Sequence, residues 1–283
     1  MTIRLRPLVA ARGFTIVEFM VAIAIGLIVS MVVGQIFVGS RQSFSSQEDS
    51  ARMQENMRAA SIILARTIRM AGYVSDAGRN STDVFPKASA PAITGAEDAT
   101  TAGLPSQTTD PVKPTPSSPV TKPDTITVRY QGSGNGTGTA DGTVVDCAGG
   151  NVDFNATAAN IFAVRPATKP DGTVSSSLYC STDNGTTWQE LVPDVDNMQI
   201  LYGVDTDADG AANRYQRITD VISADQLDNV VSVRVWLLLR SPAATNLTVG
   251  ATSYSLGGTS YSYTDRFVRR VLYTTINLRN RVK

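Results

Sequence analysis

Residues 12–40 read RGFTIVEFMVAIAIGLIVSMVVGQIFVGS, and this stretch decides what the chain is built around. From Phe14 to Gly39 it is almost wholly apolar, interrupted only by Thr15, Glu18, Ser30 and Gln35. A helix over that run covers about 39 Å, enough to cross a bilayer with some tilt. On its N-terminal side lie Arg4, Arg6 and Arg12 with no acidic residue among them, which assigns that end to the cytoplasm. Everything after about residue 40 is then expected outside the cytoplasm. A cleaved secretory signal has a shorter apolar stretch, roughly 7–15 residues, ending in small residues at the cut. The run is too long for that, and Val38-Gly39-Ser40 makes a poor cut. An ordinary anchor leaves Glu18 unexplained, because a carboxylate in hydrocarbon costs roughly 2.5–3.5 kcal/mol or more and calls for a cationic partner.

The hexapeptide Gly13-Phe14-Thr15-Ile16-Val17-Glu18, after a short basic leader and before a long apolar helix, resembles the class III signal of type IV prepilins. The resemblance implies that a membrane prepilin peptidase cuts between Gly13 and Phe14 and methylates the new amine of Phe14. It also implies that Glu18 pairs with the amine of a neighbouring subunit and so docks subunits in register. The chemistry agrees: an amine and a carboxylate in hydrocarbon each lower the cost of burying the other. Loss of the leader's three arginines leaves 22 basic against 25 acidic residues. A mildly acidic exported chain has no reason to bind nucleic acid.

Beyond the membrane the amphipathic pattern continues. No proline falls between Pro7 and Pro86. From Ser40 to Ala71, Phe44, Ala51, Met57, Ile63 or Leu64, and Ile68 recur at helical spacing among charged residues, and Gly72 is a natural stop. The spacing predicts one helix from Phe14 to about Ala71, near 87 Å long, with residues 14–39 in the membrane or filament core and 40–72 packed on a head. Residues 73–283 form that head. Eight of the thirteen prolines lie between Pro86 and Pro123, so 81–123 reads as an extended surface loop with no core element. Thr125–Tyr130 reads as a short strand followed by a glycine-rich stretch that fits no phosphate loop. Leu178–Ser181 and Thr186–Leu191 flank Asn184-Gly185, a hairpin signal. Met198–Val204 and Arg214–Ile218 flank another turn. Val231 to Arg240 alternates with one fully apolar face, and Phe267–Leu278 alternates too. The expected fold class is α+β: a long pilin-type helix on an antiparallel β head.

Composition narrows the chemistry. There is no histidine, which removes Ser-His-Asp and Cys-His catalysis and histidine-containing zinc sites. The two cysteines, Cys147 and Cys180, cannot build a four-thiolate site. In an oxidising exterior a disulfide between them is the default reading, two separate buried thiols the alternative. Asp205-Thr206-Asp207-Ala208-Asp209-Gly210 reads D-x-D-x-D-G, a spacing whose aspartates can converge on Ca²⁺. The twelfth place of such a loop wants glutamate and holds Gln216; Asn213 stands at the ninth. The competing reading is a polar hairpin turn. No other cofactor is implied. Asp220, Asp225 and Asp228 with Glu190 invite a glycosidase pair, but turn aspartates are far commoner, and no enzyme is expected.

Met198–Asp205, Asn229–Pro242 and Asp265–Arg281, with its Tyr-Thr-Thr core, together with the N-terminal helix resemble the PilW-type minor pilins. That resemblance implies a non-enzymatic subunit that primes or supports pilus assembly from the inner membrane, near the pilus tip. It implies as partners the other minor pilins, the major pilin, the prepilin peptidase, the membrane and the inner-membrane assembly platform. The first motif is shared with type II secretion pseudopilins, so a minor pseudopilin is an alternative. A tip adhesin displaying 81–123 is another.

Overall fold

The computed structural model describes residues 15–75, 91–98, 122–134, 139–154, 156–170, 172–244 and 250–281. The chain divides into two compact units, residues 1–48 and 49–283. The α1 helix, Ile16–Arg69, is continuous and contributes to both.

In the first unit α1 is an apolar rod with its side chains exposed, Ile16, Phe19, Ile28, Met31 and Phe37 among them. The helix starts on Thr15, whose hydroxyl accepts the backbone N–H of Glu18 at 3.3 Å. Thr15 to Glu18 has the T-x-x-E form of a capping box, in which the cap oxygen satisfies an amide that has no partner inside the helix.

In the second unit α1 buries Met53, Ala60, Leu64, Thr67 and Ile68, with Met57 half-buried and Ala71 buried just beyond. Steps of four and three residues place these side chains on one stripe. This corrects the expected stripe, which began at Phe44 and Ala51. Both are exposed, because the head's core is reached only from Met53 onward. Gly72 ends the helix as expected, in the left-handed region at φ +73. Its N–H donates to the Arg129 carbonyl at 2.9 Å, and Asn280 Nδ2 donates to the Arg69 carbonyl at 3.2 Å.

Among the described residues the head holds two larger sheets and a two-stranded hairpin. The first is an antiparallel meander of β1 (Ile93–Ala96), β2 (Thr125–Gln131), β3 (Thr157–Thr168), β4 (Val174–Ser181) and β5 (Gln189–Val192), paired in that order. The second contains β6 (Val195–Val204), β7 (Arg214–Gln216), β8 (Val230–Arg240) and β11 (Arg269–Asn277), in the order β11-β8-β6-β7. A separate hairpin of β9 (Thr252–Leu256) and β10 (Thr259–Tyr263) places Leu256 and Tyr261 on Leu238 of the second sheet's outer face. One core joins the α1 stripe to Ile126, Val128, Tyr130, Phe162 and Leu178 of the first sheet and to Met198, Ile200, Tyr202, Val233, Val235, Leu237 and Ile276 of the second. The fold is thus a long apolar helix packed with antiparallel sheet, as expected.

Three local expectations are corrected. The proline-rich pattern of 81–123 predicts no core element, yet residues 93–96 form β1 and are buried throughout. Gly95 belongs there because a Cβ would collide with the Tyr202 hydroxyl and the Thr125 carbonyl. Most of the proline-rich stretch lies outside the described residues. The Asn184-Gly185 turn forms with both residues at positive φ (65 and 80), but β5 starts at Gln189, not Thr186. The Asp183 carboxylate accepts the N–H groups of Thr186 and Thr187 and holds them off the ladder. The strand expected over Arg214–Ile218 stops at Gln216. Ile218 opens a short helix, α2 (Ile218–Ser223), whose Thr219 hydroxyl and N–H both bind the Glu97 carboxylate. The β3 strand was not anticipated; Pro166 within it lies past the end of β2, where only β4 flanks it.

Candidate functional site

Gly13 and Phe14, the expected cleavage and methylation residues, lie outside the described residues. Glu18 lies in the first turn of α1. It is the one charged residue between Ile16 and Ser40. The helix N-terminus carries partial positive charge, so its carboxylate stands at the electrostatically favoured end. The T-x-x-E pattern that sets this geometry was legible in the sequence and was missed there. The exposed faces around it are apolar in every direction, a surface that water does not tolerate over such a length and that hydrocarbon or other helices do. One helix among the described residues, α1, is long and apolar enough to cross a membrane.

The cysteines are joined. Cys147 and Cys180 form a disulfide with their Cα atoms 6.3 Å apart. It ties residues 139–154 to β4. Around it the Cys147 N–H donates to Asn160 Oδ1 at 2.6 Å, and the Tyr130 hydroxyl donates to the Val145 carbonyl at 2.7 Å. A cleft lined by Ile63, Arg66, Met70, Tyr130 and Asp146 lies between this segment and α1.

Asp205, Asp207 and Asp209 are brought together, with ligand atoms within 4.8 Å of one another. The loop is largely self-satisfied. Asp205 accepts the N–H groups of Asp207, Ala208 and Gly210. Burial works against the Asp205 carboxylate, but those three N–H groups outweigh it and hold its pKa below the ordinary range. Asn213 donates to Asp207 and accepts the Thr206 N–H, so it is engaged inside the turn. Oxygen donors converge, but the bidentate acid a calcium loop uses at its end is absent. Ala208 (φ 63) and Gly210 (φ 85) give the loop its sharp reversal.

The glycosidase set does not assemble. Asp220 lies on α2, and Asp228 pairs with Arg281. Glu190 sits on β5 of the first sheet, paired with Tyr179 of β4.

One polar centre was not anticipated. Asp124, just before β2, is buried. It accepts the Ile200 N–H at 2.8 Å and the Asp98 N–H at 3.2 Å. Burial pushes its pKa up to about 8, against the lowering effect of those two N–H groups. Lys122 N–H donates to Asp98 Oδ1 at 2.7 Å, so Asp98, Lys122 and Asp124 are joined in one hydrogen-bonded cluster. An isolated aspartate beside a strand start carries no sequence signal of burial.

Two family comparisons match. Residues 161–280 match the family described as Type IV Pilus-assembly protein W (PilW), and residues 9–34 match the prokaryotic N-terminal methylation motif. No curated protein matches the chain. Among solved structures, a type IV-like pilin from Thermus thermophilus is similar at 12% identity and a TM-score of 0.40, covering 82% of this chain and 99% of that one.

Proposed function

We propose that this chain, which carries a PilW domain and an N-terminal methylation motif, is a minor type IV pilin. It is a non-enzymatic subunit that is anchored in the inner membrane with its head in the periplasm. It then passes into the pilus, where it supports assembly near the tip alongside other minor pilins and the major pilin. The observation that carries this reading is Glu18: a single carboxylate in the first turn of a helix whose apolar side chains are exposed on all sides. Cleavage after Gly13 would free an amine at Phe14. In hydrocarbon that amine and a carboxylate have no better partner than each other. Supplied by a neighbouring subunit, the amine makes Glu18 a docking device, and the surrounding apolar faces then pack helix on helix.

Mass spectrometry of the N-terminal peptide tests the processing. The expected peptide begins at Phe14 with one methyl group on its amine; a chain beginning at Met1, or cut near Ser40, refutes the reading. Deletion of the gene, scored for surface pili, twitching and protein secretion, tests the role. Lost pili with intact secretion supports the minor pilin. Lost secretion with intact pili assigns the chain to a type II secretion pseudopilus instead, and intact pili with lost surface attachment assigns it to adhesion.

A further inference from the structure

We propose that the outer edge of β11 receives an added β-strand from a partner chain whose strand carries acidic side chains. The identification of that partner as another filament subunit rests on the pilin reading; the edge itself does not.

Natural sheets blunt their edges, most simply by keeping edge strands short, because a long open edge offers a row of unpaired N–H and C=O groups to any extended chain. In the two large sheets of the head, three edge strands follow that rule: β1 and β5 have four residues each, and β7 has three. The fourth, β11, has nine. It pairs with β8 in unbroken register from Arg269↔Arg240 to Asn277↔Ser232. Among the described residues no strand covers its outer side, and it contains no proline and no bulge.

The register also shows which amides face outward. Ser241 N–H donates to the Val268 carbonyl, and Leu278 N–H donates to the Val231 carbonyl. Hydrogen-bonded pairs alternate in an antiparallel ladder. Residues 270, 272, 274 and 276 therefore bond to β8, and the backbone groups of Val271, Tyr273, Thr275 and Asn277 turn to the open side. Tyr273 is 51% exposed and packs at 5.0 Å on Trp236, while Thr275 and Asn277 are exposed. Main-chain bonds with an aromatic anchor beside them are what strand addition uses.

Charge selects the occupant. Arg269 is taken by Asp265 and Asp196, and Arg281 by Asp228. Arg270 and Arg279, at the two ends of the edge, are exposed and have no acidic partner among the described residues. A second copy laid antiparallel would bring Arg270 of one chain to the end held by Arg279 of the other, like against like. An acidic strand meets both.

The test uses the full chain in detergent and labelled peptides of about ten residues, long enough to span the strand. One peptide carries Glu at the two positions of each end and Thr between them, so that a carboxylate reaches either face at both ends. A second replaces Glu by Lys. A third is the Thr–Glu peptide with the amides of one edge N-methylated. Fluorescence anisotropy should show the Thr–Glu peptide binding, and the other two weaker by about 10-fold or more. Thr275→Pro removes an outward N–H without touching the ladder to β8, and should weaken the Thr–Glu peptide by a similar factor with the melting temperature unchanged. The double variant Arg270→Glu, Arg279→Glu should invert the preference between Glu and Lys peptides. Absence of Thr–Glu binding, or equal binding of the N-methylated peptide, overturns the proposal. So does self-association in sedimentation that Thr275→Pro abolishes, since the occupant would then be a second copy. The peptide and charge-reversal arms decide the matter even if the proline variant fails to fold. No pilus enters the assay: a negative result leaves the pilin reading standing, and an uncleaved Gly13 would refute that reading without touching this one.

Discussion

Asp124 is a carboxyl held where water cannot reach it, and its pH dependence follows. The unfolded chain releases this proton near pH 4, whereas the folded chain keeps it to about pH 8. Between those values the native state binds more protons than the unfolded state, so the Asp124 contribution to stability falls as pH rises from about 4 to about 8 and then levels off. Glu97 steepens the loss by like charge, and Arg217 opposes it. Asp124→Asn cannot ionise. It should be the less stable protein at pH 5, having lost one acceptor for Asp98 or Ile200, and should gain on the parent by on the order of a few kcal/mol by pH 8.5. Urea midpoints at the two pH values measure this; a constant difference would mean Asp124 does not titrate there. Glu18 poses the converse case. On the proposed pilin reading, Glu18→Ala removes a costly group from hydrocarbon, so export and cleavage should be intact. On that reading it also removes the partner of a buried amine, so incorporation with other minor pilins should weaken and pili per cell should fall. Gly13→Val should instead leave uncleaved precursor in the inner membrane. Immunoblots of membrane and sheared-pilus fractions separate the two outcomes, and a Glu18→Ala chain assembling like the parent would remove charge as the docking device.

At the scale of elements, α1 changes its job along its length without changing its conformation. Leu64 is fully buried in the head's core, and Phe44 is 71% exposed. Leu64→Ala should lower stability to urea by about 2–5 kcal/mol through lost burial and the cavity left behind. Phe44→Ala should leave that transition where it was. Equal effects would mean the buried stripe begins earlier than Met53. The Asp205 loop is decided by a similar contrast. Its carboxylate organises three backbone N–H groups whatever else is present, so Asp205→Ala should lower the melting temperature equally in calcium and in chelator. A calcium-dependent rise in the parent that Asp207→Ala removes would assign an ion to the loop by mass action.

For the whole molecule, the disulfide and the C-terminus hold distant segments together. Cys147 and Cys180 are 33 residues apart in sequence, and closing a loop of that length stabilises the fold by about 3–4 kcal/mol. Cys147→Ser with Cys180→Ser should lower unfolding free energy by about that amount, read from denaturant midpoints without reductant; no change would place the closure entropy elsewhere. The C-terminal residues act across a longer separation. Asn280 caps the end of α1, and Arg281 binds the Asp228 carbonyl at 2.6 Å while its side chain covers Gly72. Helix end, strand β11 and the turn before β8 therefore meet at one place.

The sequence by itself determined the apolar helix, its stop at Gly72, the prepilin-type motif with its lone acid, the Asn184-Gly185 turn and the strands with clean alternation. Each is written in neighbouring residues: charge against hydrocarbon, periodicity, or a turn that needs positive φ. It did not determine where the buried stripe begins, because Phe44 and Met57 carry the same apolar signal and only the reach of the head distinguishes them. Nor did it reveal β1 or β3, whose strand character comes from pairing with β2 and not from their own pattern. The burial of Asp124 was likewise invisible, since it arises where Ile200 and Asp98, distant in the chain, turn their amides onto one carboxyl. The outer edge of β11, which no described strand covers, belongs to the same class: a strand can be read from alternation, but whether it has a neighbour on each side depends on the order of the sheet, which only the assembled chain decides.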